Sequence, residues 1–111
     1  MPTTPVTESL FRLGLNEVLP ISEEATTSRV VVNNDVLRTV VFTFDTGQML
    51  TEHASTKAVV VTLLEGEMDF SIGERSERMK AGDVIYLAPG DRHALTAVTP
   101  CRMQQIGRAH V

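Results

Sequence analysis

A chain of 111 residues, 42% of them hydrophobic, suffices for one domain with one core and leaves no room for separate catalytic and binding domains. Lys and Arg number 10 against 14 Asp and Glu, and the aromatic share is 5% with no Trp, so an acidic surface without stacking rings excludes nucleic acid as the expected partner. Cys101 is the single cysteine, which rules out an internal disulfide and a Cys-x-x-Cys metal knuckle and fits a reducing compartment.

Residues Met1–Glu8 are rich in Thr and Pro and read as a flexible tail ahead of a single domain over 9–111. The amino-terminal stretch lacks a basic patch followed by an apolar run, which argues against a secretory signal. The longest apolar block, Ala58–Leu64, is far shorter than the ~20 residues of a membrane helix. A cytoplasmic protein without membrane contact is the expectation. Leu10, Phe11, Leu13, Leu15, Val18, Leu19 and Ile21 follow neither helical nor strand spacing, and Gly14 and Pro20 work against a helix. So many apolar side chains need a cover, either on the rest of the domain or on a second subunit.

From Thr27 the pattern is β, and a barrel core over about 27–107 is expected. Arg29–Val32 is β-branched, Asn33-Asn34-Asp35 is turn chemistry, and Val36–Phe44 returns, so a hairpin is predicted. Gly47 punctuates the chain, and Met49–Ser55 reads as extended. Ala58–Leu64 is apolar enough for a strand buried on both faces. Met68, Phe70 and Ile72 then alternate with Glu67, Asp69 and Ser71, one face dry and one wet. Gly73-Glu74 turns the chain into Ser76–Met79, where Arg75, Glu77, Arg78 and Lys80 mark an exposed edge guarded by charge. Val84–Leu87, the turn Pro89-Gly90-Asp91, His93–Val98 and Cys101–Ile106 complete the set. Short strands with turn signals about every ten residues point to an all-β sandwich or barrel.

Two stretches carry a family resemblance. The first is Gly47, five residues, His53, Ser55, Val59, six residues and Gly66; the second runs from Gly82 through Pro89 and Gly90 to His93. Together they resemble the two motifs of a small single-domain cupin of the RmlC-like superfamily, in the conserved-barrel type 2 group. The resemblance implies an all-β cupin double-stranded β-helix, or jelly-roll, barrel around a pocket, assembled as a homodimer. The Leu10–Ile21 segment is then the candidate dimer contact. In that family, three His and one Glu hold a divalent metal and leave open positions for substrate or oxygen. Here the second His is Ser55, the Glu position is Val59, and Ala97 stands at the closing Asn position; Pro89 falls one place late. His53 and His93 are the retained candidates for a metal. A third ligand would have to be unorthodox, from Glu52, Asp91, Gln105 or His110.

Three readings of the two histidines stay open: a bound divalent metal, two neutral imidazoles bonded to each other, to Ser55 or to water, or a direct grip on an anionic or polar ligand. Ser55, Val59, Met68, Phe70, Tyr86 and Gln105 are candidates for the pocket wall. Met68 and Phe70 read equally as core, and Tyr86 reads either as an acid or as a packed ring with a wet hydroxyl. Cys101 has no adjoining His or Lys to activate it and reads as a structural thiol. The functional expectation is a barrel that binds a small polar molecule at a degenerate metal site, with no cofactor or a divalent metal ion. The alternative is a metal-dependent dioxygenase or isomerase using His53, His93 and a non-standard third ligand. A metal-free acid/base enzyme with Tyr86 as acid, and a purely structural role, complete the field.

Overall fold

A computed structural model describes residues 3–108. A single helical turn, α1 (Leu15–Val18), precedes nine strands: β1 (Thr26–Asn33), β2 (Leu37–Phe44), β3 (Met49–Ala54), β4 (Val59–Glu65), β5 (Glu67–Ile72), β6 (Arg75–Lys80), β7 (Val84–Leu87), β8 (Arg92–Ala97) and β9 (Cys101–Arg108). They form two antiparallel sheets, ordered β1-β2-β9-β4-β7 and β3-β8-β5-β6. Neighbours such as β2-β9 and β3-β8 are distant in sequence, and this crossing back between sheets makes the jelly-roll barrel. No described helix is long and apolar enough to cross a membrane.

The core follows from strand alternation. Phe44, Cys101, Met68 and Ala97 fill one end of the space between the sheets, and Phe42, Met103, Leu63, Phe70 and Leu95 form the next layer. Each fully buried side chain of this size contributes ~1.5–3 kcal/mol. Further along the same strands the inward positions become polar. Val40 lies opposite Gln105, Arg38 opposite Gly107, and Ile72 opposite His93. One end of the barrel is therefore plugged with apolar side chains, and polar groups collect at the other.

The edges match the charge pattern. On β6, the outermost strand of its sheet, Arg75 pairs with Glu77 at 2.9 Å and Arg78 reaches across to Asp69 on β5 at 2.6 Å, all at the surface. The Arg78 guanidinium holds the Asp69 carboxyl below the usual carboxylate range.

The amino-terminal arm lies against the barrel at three points. Thr4, within the stretch read as a tail, is buried; its backbone N–H donates to the Asn33 carbonyl at 2.8 Å and its hydroxyl accepts from the Asn33 N–H at 3.0 Å. Arg12 Nε donates to the Val31 carbonyl of edge strand β1 at 2.9 Å. Arg102, buried on β9, donates from Nε to Glu65 at 3.0 Å and from Nη1 to the Leu19 carbonyl at 2.8 Å. The Val31 and Asn33 backbone groups lie on edge strand β1 and would otherwise lack partners there. Phe11 and Leu13 nevertheless stay 85% and 78% exposed, so the barrel itself does not cover the apolar arm.

Candidate functional site

The site begins with a one-residue irregularity. Leu50 on β3 lies opposite Leu95 on β8, and both side chains pack in the core. Regular alternation from Leu50 would put Glu52 opposite His93 and facing inward. The register instead shifts between Leu50 and His53, and His53 takes the place opposite His93. The bulge brings an imidazole rather than a carboxylate beside His93, although His53 itself stays exposed. Glu52 is turned outward, where Arg92 Nη1 donates to it at 3.0 Å.

The two imidazoles lie close together, with ring centroids 4.2 Å apart and planes inclined at 60°. They do not bond to each other or to Ser55, two of the partners considered above. Each ring bonds to the backbone carbonyl two residues before it: Nδ1 of His53 meets that of Thr51 at 2.8 Å, and Nδ1 of His93 meets that of Asp91 at 3.1 Å. A carbonyl only accepts, so in the neutral ring Nδ1 carries the proton and Nε2 keeps a free lone pair. Phe70 stacks on the His93 ring at 6.0 Å between centroids. His93 is 4% exposed, and burial pushes its pKa down; the nearby His53 adds to this, while the Asp91 carbonyl and charge oppose it. His93 is thereby held neutral near pH 7.

The histidines open into a cavity of 180 Å³ at the polar end of the barrel. Ser55, Val59 and Gln105 line it with them, so five of the residues singled out from sequence come together. The other three lie elsewhere. Met68 and Phe70 are buried in the core, because their inward positions fall at the plugged end and in the layer below His93. Tyr86 is 65% exposed on the outer face, since Leu87 is its inward neighbour on β7. It borders a shallow groove with Val60 and Ile106 and cannot act as an acid in the cavity. Ser55 is engaged in its loop, its hydroxyl accepting the Lys57 backbone N–H at 3.2 Å.

Five lining residues were not singled out from sequence: Val40, Gly107 and the three cations Arg38, Lys57 and Arg108. Arg38 shares the inward phase of Val40, Phe42 and Phe44, so alternation along β2 could have found it. Lys57 sits in the loop between β3 and β4 and Arg108 at the end of β9, where alternation carries no information. Gly107 lies between Arg38 and Val59 on the same wall, and a methyl group there would come 3.3 Å from the Ala58 carbonyl, so glycine keeps the cavity open.

The donor set does not fit a resident metal. Two imidazoles are oriented as ligating imidazoles are, with Nδ1–H on a backbone carbonyl. Zinc needs a third protein ligand, and an oxygen-activating iron needs a carboxylate. No group of three His, Cys, Asp or Glu that could hold a metal occurs among the described residues. Glu52 faces Arg92, Asp91 offers its carbonyl to His93, Gln105 is a neutral amide, and His110 lies outside the described residues.

Cys101 is fully buried against the Glu67 and Thr99 carbonyls, and burial pushes its thiol pKa up. It is a core residue without nucleophilic character.

A family model described as a cupin domain matches residues 40–106. A conserved protein of unknown function from Streptococcus pyogenes superposes with a TM-score of 0.82 at 28% identity, over 100% of this chain and 97% of that one. KdgF from a Halomonas species superposes with a TM-score of 0.74 at 16% identity, over 84% and 87% of the two chains. The DMSP lyase DddQ from Ruegeria pomeroyi superposes with a TM-score of 0.71 at 19% identity, over 78% of this chain and 48% of that one. The last two likenesses are of fold alone. No curated protein matches the sequence.

Proposed function

We propose that this chain, which belongs to the cupin family, is a binding barrel that takes one small polar molecule in the His53–His93 cavity without a metal. The observation that carries this reading is the pair of Nδ1–carbonyl bonds, which leaves two Nε2 lone pairs 

as acceptors beside a polar cavity that offers no third metal ligand among the described residues. A ligand hydroxyl or amine donates to these nitrogens, and the Gln105 amide supplies a further donor and acceptor. The volume of 180 Å³ equals about six waters at ~30 Å³ each, which suits a molecule of few heavy atoms.

The test is elemental analysis of untagged, chelator-free protein before and after incubation with zinc, iron, manganese and nickel, followed by a screen of small polyols and acids. Metal-free protein whose His93 and Gln105 resonances shift with a screened compound supports the reading. Stoichiometric metal that disappears in a His53→Ala/His93→Ala variant overturns it. A second reading draws on the ligand-like orientation of both imidazoles. In it, a substrate supplies the missing donor and metal binds only with substrate present; metal uptake that requires a screened compound would favour it.

A further inference from the structure

We infer that the molecule taken by the cavity is a small hydroxycarboxylate, its carboxylate held at the mouth by Arg38, Lys57 and Arg108. This rests on the binding-barrel reading above and specifies the chemistry of its ligand.

The first observation is charge placement. The chain is acidic overall, with a formal net charge of -4. Yet three of the residues lining the cavity are cationic, and none of the described ones is acidic. Of the six arginines outside the cavity, four are ion-paired among the described residues, Arg75 with Glu77, Arg78 with Asp69, Arg92 with Glu52 and the buried Arg102 with Glu65, while Arg12 and Arg29 are not. Arg38, Lys57 and Arg108 form no ion pair with any described residue.

The second observation is convergence. The three cations come from β2, from the β3–β4 loop and from the end of β9, and they meet at one opening. Gathering like charges opposes folding, and no described contact of these side chains offsets that. An anion at the opening removes the repulsion. The planar guanidinium fork matches a carboxylate, and Lys57 adds a mobile point charge.

The third observation concerns the inner end. There the buried His93, its Nδ1 on the Asp91 carbonyl, presents in its neutral form an Nε2 lone pair that repels an oxyanion and accepts from a hydroxyl, with the more exposed His53 ring beside it. The cavity is thus polarised along its depth, cationic outside and accepting inside. A short acid with a hydroxyl on its chain satisfies both ends within 180 Å³.

The test is calorimetric titration of the full, untagged chain with malate, inorganic phosphate and glycerol, repeated with Arg38→Gln, Arg38→Gln/Arg108→Gln and, as a control remote from the cavity, Arg75→Gln. The expected result is saturable malate binding that weakens as salt rises and falls about tenfold or more for each arginine removed, as loss of a charged hydrogen bond implies. Arg75→Gln should match the parent. Malate binding unchanged in the double variant overturns the inference, as does glycerol binding as tightly as malate; in both cases the small-molecule reading survives. Phosphate binding without malate binding overturns the carboxylate assignment in favour of a different oxyanion. If no compound of any class binds or shifts the His93 resonance, both readings fail together.

Discussion

Gly66 ends β4 and begins β5 with φ at +86°, a conformation that side chains rarely adopt. A methyl group there would overlap the Pro100 carbonyl and lie 2.9 Å from both Cys101 Sγ and Thr99 Oγ1. Gly66→Ala therefore meets two separate penalties. The left-handed backbone costs ~1–2 kcal/mol for a residue with a Cβ, and the overlap adds ~1–3 kcal/mol of overpacking, since a backbone carbonyl cannot swing aside as a side chain does. Gly73 isolates the first penalty, with φ at +58° and nothing within 4 Å of its added methyl group. Equilibrium urea unfolding of both variants, followed by circular dichroism, should show Gly66→Ala losing ~2–5 kcal/mol and Gly73→Ala ~1–2 kcal/mol. At ~4–8 °C per kcal/mol for a domain near this size, the Gly66 variant should melt at least ~8 °C lower than the parent. A Gly66→Ala protein no less stable than Gly73→Ala would refute the close approach of the β4–β5 turn to the Thr99–Cys101 segment.

His93 is buried with its pKa below the ordinary 6.5, so the fold favours its neutral form. Its contribution is intact above pH 6.5 and is lost as pH falls from there through the lowered folded value. His93→Gln should accordingly flatten the stability difference between pH 7.5 and pH 5, as read from urea midpoints; an unchanged slope would place the acid sensitivity elsewhere. Cys101 should resist a thiol-specific disulfide reagent in the native protein and react at once in denaturant, and fast native reaction would contradict its burial against the Glu67 carbonyl. Ser55→His with Val59→Glu, both on the cavity wall, should create a zinc site detectable by calorimetry where the parent has none. Phe11→Ser with Leu13→Ser, which alters the exposed arm without touching its hydrogen bonds, should halve the mass on sizing if a second copy covers it; an unchanged mass would locate any dimer contact elsewhere.

Much of the fold was legible because inward and outward residues alternate without interruption where the core is deepest. Met68, Phe70 and Ile72 define β5, and the Gly82–His93 stretch places β7, the following turn and β8. The histidine pair was legible as a pair of positions but not as a geometry. The bulge before His53 leaves no mark in residue type, and it alone decides whether an imidazole or Glu52 stands beside His93. The Nδ1–carbonyl bonds are local, each to the carbonyl two residues earlier, whereas spacing suggested partners across the cavity. Tyr86 could have been placed outside from the phase of its neighbour Leu87, but in a strand of four residues that phase is thinly recorded. The cationic mouth draws on a loop and a strand end, where periodicity stops, and there only coordinates bring Lys57 and Arg108 beside Arg38.

The strands of this barrel each carry two separate duties at opposite ends. On β2, Arg38 opens onto the cavity and Phe44 seals the far end; on β9, Gln105 and Cys101 divide the same roles. Six residues of strand from Arg38 to Phe44 span ~20 Å at about 3.3 Å per residue. That exceeds the 7–10 Å beyond which substitutions usually act independently. The rim can therefore drift through many chemistries while the foundation stays the same, so a lineage built on this barrel is free to change what it recognises without first finding a new way to fold.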